Sequence, residues 1–186
     1  MEKSIVWKGL RYDTEEHCGI NYHNDGSIVV HSEIEGWVNL KPVYAEYWIK
    51  MDAAWNVLEF EITSHIADAE YKYALKRDEN GIWRDKFGSH PDYNDCHYID
   101  ISLTPLTNTL PVNGLELAEG ESRAIEVVYI DIMKHEIRRD EQHYKKTGGL
   151  QYRFENDATG FIADIEVDKG GFVTFYPGLF EMIKVT

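Results

Sequence analysis

The sequence has little of what usually announces a chemistry. Among its 186 residues there are two cysteines, Cys18 and Cys96, at no motif spacing. Neither a disulfide framework nor a Cys-x-x-Cys metal or redox pair is therefore indicated. Prolines number five, and no Pro/Gly/Ser-rich stretch, low-complexity run or internal repeat marks a linker, so residues 1–186 are read as one domain. No apolar run approaches the roughly 20 residues that span a bilayer, which argues against membrane insertion. The opening MEKSIVWKGLRYDTEEH lacks the apolar centre of a signal peptide, which makes the cytoplasm the expected compartment.

Positive charge is also scarce: 19 Lys and Arg stand against 33 Asp and Glu, a formal net charge of -14. The longest basic patches are the pairs Arg138-Arg139 and Lys145-Lys146. Phosphate is repelled, so a nucleic-acid partner is excluded. An anionic membrane surface is disfavoured for the same reason, unless a local patch exists. No G-x-S-x-G elbow, G-x-G-x-x-G fingerprint or phosphate-binding G-x-x-x-x-G-K-[ST] loop occurs, and no cofactor is expected. His17, Cys18, His23 and His31 are close in sequence, as are His90, Asp92, Asp95, Cys96, His97 and Asp100. Neither group has zinc or calcium spacing, and both are read as surface histidines and loop aspartates bonded to backbone amides, not as a metal site.

What is present is a hydrophobic content of 43% and an aromatic content of 13%, enough to exclude disorder. Its pattern has period two. In residues 43–51, Val43, Ala45, Tyr47, Ile49 and Met51 share one face, and Tyr44, Glu46, Trp48 and Lys50 the other. In residues 56–63, Leu58, Phe60 and Ile62 alternate with Glu59 and Glu61, predicting a strand with one wet face. Residues 69–83, 124–133, 149–155, 161–168 and 172–177 continue the alternation. Asn24-Asp25-Gly26, Asp78-Glu79-Asn80-Gly81 and Asp168-Lys169-Gly170-Gly171 supply hairpin turns. Helical spacing is confined to Ala67–Tyr73, where it competes with a strand, and to the closing GLFEMIKV. Short, regularly spaced strands of this kind predict an antiparallel sandwich or barrel.

Two stretches are not strand-like: a polar loop over residues 86–95, and residues 103–117, LTPLTNTLPVNGLEL, read as a long irregular loop. Asp100 lies between Ile99 and Ile101 and points away from them, towards a polar interior or a turn. Its expected role is structural, with acid–base work as the alternative. Aromatic residues that share a face with polar ones, as Tyr44 and Trp48 do with Glu46, either line a cavity for an amphipathic ligand or fill a core of large side chains.

The run Ile99-Asp100-Ile101-Ser102-Leu103-Thr104-Pro105-Leu106-Thr107-Asn108-Thr109-Leu110-Pro111-Val112 strongly resembles the signature of the bacterial family named "Putative glycolipid-binding". Gln142, Tyr144, Tyr152, Phe161, Val167-Asp168 and the closing Phe175-Tyr176-Pro177-Gly178-Leu179-Phe180 are similar to its C-terminal half. Trp7, the Asn24-Asp25-Gly26 turn and Trp55 are weaker matches. Where the family commonly has two arginines after the Leu-Pro turn, this chain has Asn113-Gly114. The resemblance implies a mainly β protein: a curved antiparallel sheet rolled into an incomplete barrel, a β-roll with few short helices, likened to bacterial lipoprotein and glycolipid carriers. It implies no catalytic residues.

Pro105 and Pro111 stiffen the signature segment, and Thr104, Thr107, Asn108 and Thr109 return hydrogen bonds to its backbone. The segment is expected either to plug one end of the rolled sheet or to form one lip of a ligand cavity. The leading expectation is a non-enzymatic binding protein for an apolar or amphipathic ligand, a lipid or glycolipid, recognised by Tyr44, Trp48, Asp100, Asn108, Gln142, Tyr144, Tyr152 and Tyr176. Two alternatives stand beside it: an enzyme using Asp100 with its polar neighbours, and an oligomerising β domain with an exposed aromatic face.

Overall fold

The computed structural model describes residues 2–186. The chain begins in the middle of its sheet. Strands β1 (Glu2–Gly9), β2 (Asp13–Tyr22), β3 (Ile28–Val38), β4 (Lys41–Met51), β5 (Val57–Ile66), β6 (Ala69–Arg77) and β7 (Trp83–Arg84) meander outward to one edge. The chain then crosses to the opposite edge, where β8 (Tyr98–Ile101) pairs in parallel with β9 (Ser122–Asp131). From there β10 (Glu136–Gly148), β11 (Gln151–Asn156), β12 (Phe161–Val167), β13 (Val173–Tyr176) and β14 (Phe180–Val185) meander back until β14 pairs with β1.

The result is one fourteen-stranded sheet with β7 and β8 as its edges, strongly curved and not closed into a barrel. Chain length requires the curvature. Flat, the edges of such a sheet would stand roughly 60 Å apart, whereas the fourteen residue steps from Arg84 to Tyr98 reach at most about 50 Å. The crossover is pinned by the Trp83 indole, which donates to the Cys96 carbonyl at 3.0 Å, and by the Val57 amide, which donates to the His97 carbonyl at 2.9 Å.

Alternation positions the core as the sequence predicts over residues 43–51, where Val43, Ala45, Tyr47, Ile49 and Met51 are all buried. In β5 the pattern is displaced. Met51 pairs with Val57 and Lys50 with Glu59, so Leu58 is the extra residue of a bulge and Val57 takes the core place. The three expected turns form, each organised by an aspartate that accepts backbone amides two and, in the longer two, four residues on: Asp25, Asp78 and Asp168.

The helical expectations are corrected. Ala69–Arg77 is a strand because it folds back on β5 as a hairpin, the reading that competed with the helix, and Phe180–Val185 is a strand because it pairs with β1. The segment read as an irregular loop contains α1 (Leu106–Gly114), the one α-helix among the described residues. It lies inside the roll, with every residue from Leu106 to Val112 buried. As the link between β8 and β9 it also provides the crossover that a parallel pair needs. The Asn113 amide ties it to the β12–β13 turn by donating to the Gly170 carbonyl at 3.0 Å. At Gly114 an added Cβ would lie 2.5 Å from the Tyr98 hydroxyl and 2.9 Å from the Ala54 carbonyl, so only glycine fits this approach. Asn113-Gly114 is thus a packing joint in this chain.

Candidate functional site

The inner edge of the sheet is covered on both sides. Ile99, Ile101, Val128 and Ile130 bury one face of β8 and β9, while the other turns towards α1 and carries the polar groups. Register aligns Asp100, Tyr129 and Arg138 across β8, β9 and β10. Period two along β10 then puts Asp140, Gln142 and Tyr144 on the same face, with Phe154 opposite Tyr144 on β11. All of these except Tyr144 border a cleft of about 640 Å³.

The polar floor is prearranged by side-chain pairs. Asp100 Oδ1 accepts the Thr107 hydroxyl at 3.0 Å, and Oδ2 accepts the Gln142 amide at 2.7 Å. Thr107 Oγ1 also accepts the Ile101 amide at 3.2 Å, fixing α1 to β8. Asn156 donates to Asp140 Oδ2 at 2.6 Å, and Asn108 donates to the Tyr144 hydroxyl at 2.8 Å. Between β8 and α1 the chain turns through Leu103, a non-glycine residue at φ 72°, a strained conformation of the kind held at functional sites.

Electrostatics follow from burial. Burial pushes the Asp100 carboxyl above the usual carboxylate range; the Gln142 and Thr107 hydrogen bonds oppose this, and the nearby Asp140 charge adds to it. Burial and the charge of Asp100 raise the phenols of Tyr129 and Tyr176, so both remain O–H donors. One wall is an aromatic row, Phe154, Phe161, Tyr176 and Phe180, with successive ring centres 6.1, 6.3 and 6.2 Å apart. Arg11, Lys41, Lys134 and Arg138 stand on the lining as well, with the Arg138 guanidinium 4.3 Å from the centre of the Tyr129 ring.

Of the residues expected from the sequence, Asp100, Asn108, Gln142 and Tyr176 line this cleft. Tyr144 is buried behind it as the partner of Asn108. Tyr152 is buried further along the sheet, under Lys146. Tyr44 and Trp48 lie on the outward face of β4, beside His65 and His31 respectively. Tyr44 borders a separate shallow depression with Trp37 and His65. The structure adds Tyr129, Arg138, Asp140 and Asn156; the first three share the alternating face just described, which is the signal that marks them in the sequence. The signature segment forms a wall of the cleft through Leu103, Thr104 and Asn108. Asp100 is held by side chains, not by the backbone of residues 104–109.

A second buried polar group lies beside Thr104. Ser32 donates to Glu16 Oε1 at 2.7 Å and Tyr47 donates to the same oxygen, while Thr104 Oγ1 lies 3.3 Å from the Tyr47 hydroxyl. Glu16 Oε2 has no hydrogen-bond partner. Burial pushes this carboxyl up to about 7, opposed by the hydrogen bonds from its hydroxyl neighbours. Among the described residues no helix is long and apolar enough to cross a membrane. Among the described residues, a three-residue cluster whose carboxylate and imidazole atoms lie within 4.8 Å of one another is Glu141, His143 and Asp157, and it lies outside the cleft.

Carboxylates that accept, amides and phenols that donate, and an aromatic wall are together suited to a ligand with hydroxyl groups at one end and apolar surface at the other. No curated protein matches the chain. A crystal structure of a DUF1089 family protein from Pseudomonas aeruginosa superposes with a TM-score of 0.78 at 29% sequence identity, over 89% of this chain and 91% of that one. The model of the family described as "Putative glycolipid-binding" matches residues 4–182, and the chain belongs to that family.

Proposed function

We propose that the chain is a non-enzymatic binding protein for an amphipathic small molecule, a lipid or glycolipid. The ligand's hydroxylated end would meet Asp100, Asp140 and Gln142, and its apolar part would lie along Phe154, Phe161, Tyr176 and Phe180. The observation that carries this reading is the presence of both surfaces in one cleft of about 640 Å³, within the range of small-molecule sites. The family's description points the same way. The cytoplasm is the proposed compartment; both cysteines are buried and unpaired, which suits a reducing one.

Titration with monomeric octyl glucoside, with glucose and octanol as its separated halves, tests the reading. Octyl glucoside is expected to bind at least about tenfold more tightly than either half, because only it uses floor and wall together. Equal or absent binding of all three overturns the reading. One observation favours an enzyme instead: Asp100 and Asp140 are neighbouring carboxyls in an open cleft, and the first is raised. Recovery of a chemically altered glycolipid, abolished in Asp100→Asn, selects that alternative.

A further inference from the structure

Three adjacent hairpin tips form one rim of the cleft. The β1–β2 tip carries Leu10, Arg11 and Tyr12, the β3–β4 tip is Asn39-Leu40, and the β13–β14 tip holds Leu179. They are adjacent because Asp13 pairs with Trp37, Trp37 pairs with Pro42, and the Leu10 amide donates to the Leu179 carbonyl at 2.8 Å. Arg11, Tyr12, Asn39, Lys41 and Leu179 all line the cleft.

Three features of this rim do not suit a surface that meets only water. Leu40 is 94% exposed, with Trp37 at 53% and Leu10 at 43% beside it. Asn39 and Leu40 have φ of 51° and 64°, a turn whose second position favours glycine; leucine is strained there and buries nothing in this chain. Arg11 and Lys41 flank the tip and enter no ion pair among the described residues, in a chain whose formal charge is -14. Asp13 offsets one of these charges. Charges more than about 8 Å from a surface are screened at physiological salt, so the rim, not the total, sets the local sign.

We propose that this rim docks on a lipid bilayer. Leu40 and Leu10 enter the interface, Trp37 and Tyr12 lie at headgroup level, and Arg11 and Lys41 meet anionic headgroups. The cleft then opens onto the membrane. The docking itself stands on the rim alone; that the membrane supplies the ligand rests on the binding function proposed above.

The test is flotation of the full chain with vesicles of phosphatidylcholine and phosphatidylglycerol at 7:3, compared with phosphatidylcholine alone. The wild type is expected to float with the mixed vesicles, less with the neutral ones, and less again in high salt. Leu40→Gly installs the residue the turn favours, so the fold is kept, and it should lower partition about tenfold. Arg11→Gln with Lys41→Gln should remove the preference for the anionic vesicles.

A wild type that does not float, or a Leu40→Gly variant that floats undiminished, overturns the docking proposal. So does a wild-type dimer that Leu40→Gly dissociates, which assigns the rim to a second copy. Octyl glucoside binding by the wild type without vesicles keeps the two readings apart: wild-type binding with no wild-type flotation defeats the docking alone, and flotation with no binding defeats the cleft reading alone.

Discussion

Gln142 on β10 and Asp100 on β8 are two strands apart, yet the Gln142 amide reaches over β9 to donate to Asp100 Oδ2 at 2.7 Å. On the intervening strand Tyr129 is aligned with Asp100 and with Arg138, whose guanidinium lies over the Tyr129 ring. Gln142→Leu is expected to destabilise the fold by about 1–3 kcal/mol by leaving Asp100 short of a donor. It should also weaken octyl glucoside binding. Denaturant unfolding with a binding titration checks both, and unchanged stability contradicts the described pairing.

Glu16 makes stability depend on pH in an unusual direction. Its carboxyl is raised from 4.5 to about 7 in the fold, so the native chain holds a proton that the unfolded chain releases. The stability Glu16 contributes is fully present below pH 4.5 and is lost as pH rises to about 7, a change on the order of 3 kcal/mol. Glu16→Gln, which keeps the shape and cannot titrate, should flatten that part of the profile. Parallel profiles of the two proteins between pH 4.5 and 8 would contradict the assignment.

Trp83 ties an edge strand to the crossover, fully buried, with its ring 5.8 Å from Phe60 and its indole on the Cys96 carbonyl. Trp83→Phe should cost about 1–3 kcal/mol through the orphaned carbonyl, and Trp83→Ala about 3–5 kcal/mol through the added cavity. Thermal unfolding of the pair separates the two contributions.

Two substitutions involving glycine should act in opposite directions. Leu40→Gly relieves a left-handed leucine and, after the entropy cost of glycine, should stabilise the chain by up to about 1 kcal/mol. Gly114→Ala drives a methyl group against Tyr98 and Ala54 and should destabilise it by about 1–3 kcal/mol. Denaturation midpoints measure both.

The strands were legible wherever one face is buried and the other wet, as over residues 43–51, because period two is then written into polarity. Helix α1 was not. It is buried on every side, so no apolar stripe marks it, and its threonines, asparagines and Pro111 are poor helix formers. The C-terminal strand is obscured because most of its ladder is made with β1, at the far end of the chain, and only two residue pairs with the neighbouring β13. At the site, Asp100 is marked by its place between Ile99 and Ile101, and Asn108, Gln142 and Tyr176 by the family resemblance. Arg138 and Asp140 alternate with Gln142 along β10, but a strand with charged residues on both faces does not show which face is turned inward. Tyr44 and Trp48 share a strand with core residues but face outward; alternation separates the two faces without saying which borders a cavity.

The most direct test of the central claim is native mass spectrometry of the protein purified from its own host, followed by solvent extraction and mass identification of what is released. One amphipathic molecule per chain, with both a hydroxylated and an apolar part and reduced in Asp100→Asn and Phe161→Ala, is the expected result. An empty chain that also takes up nothing from a panel of lipids would contradict the account.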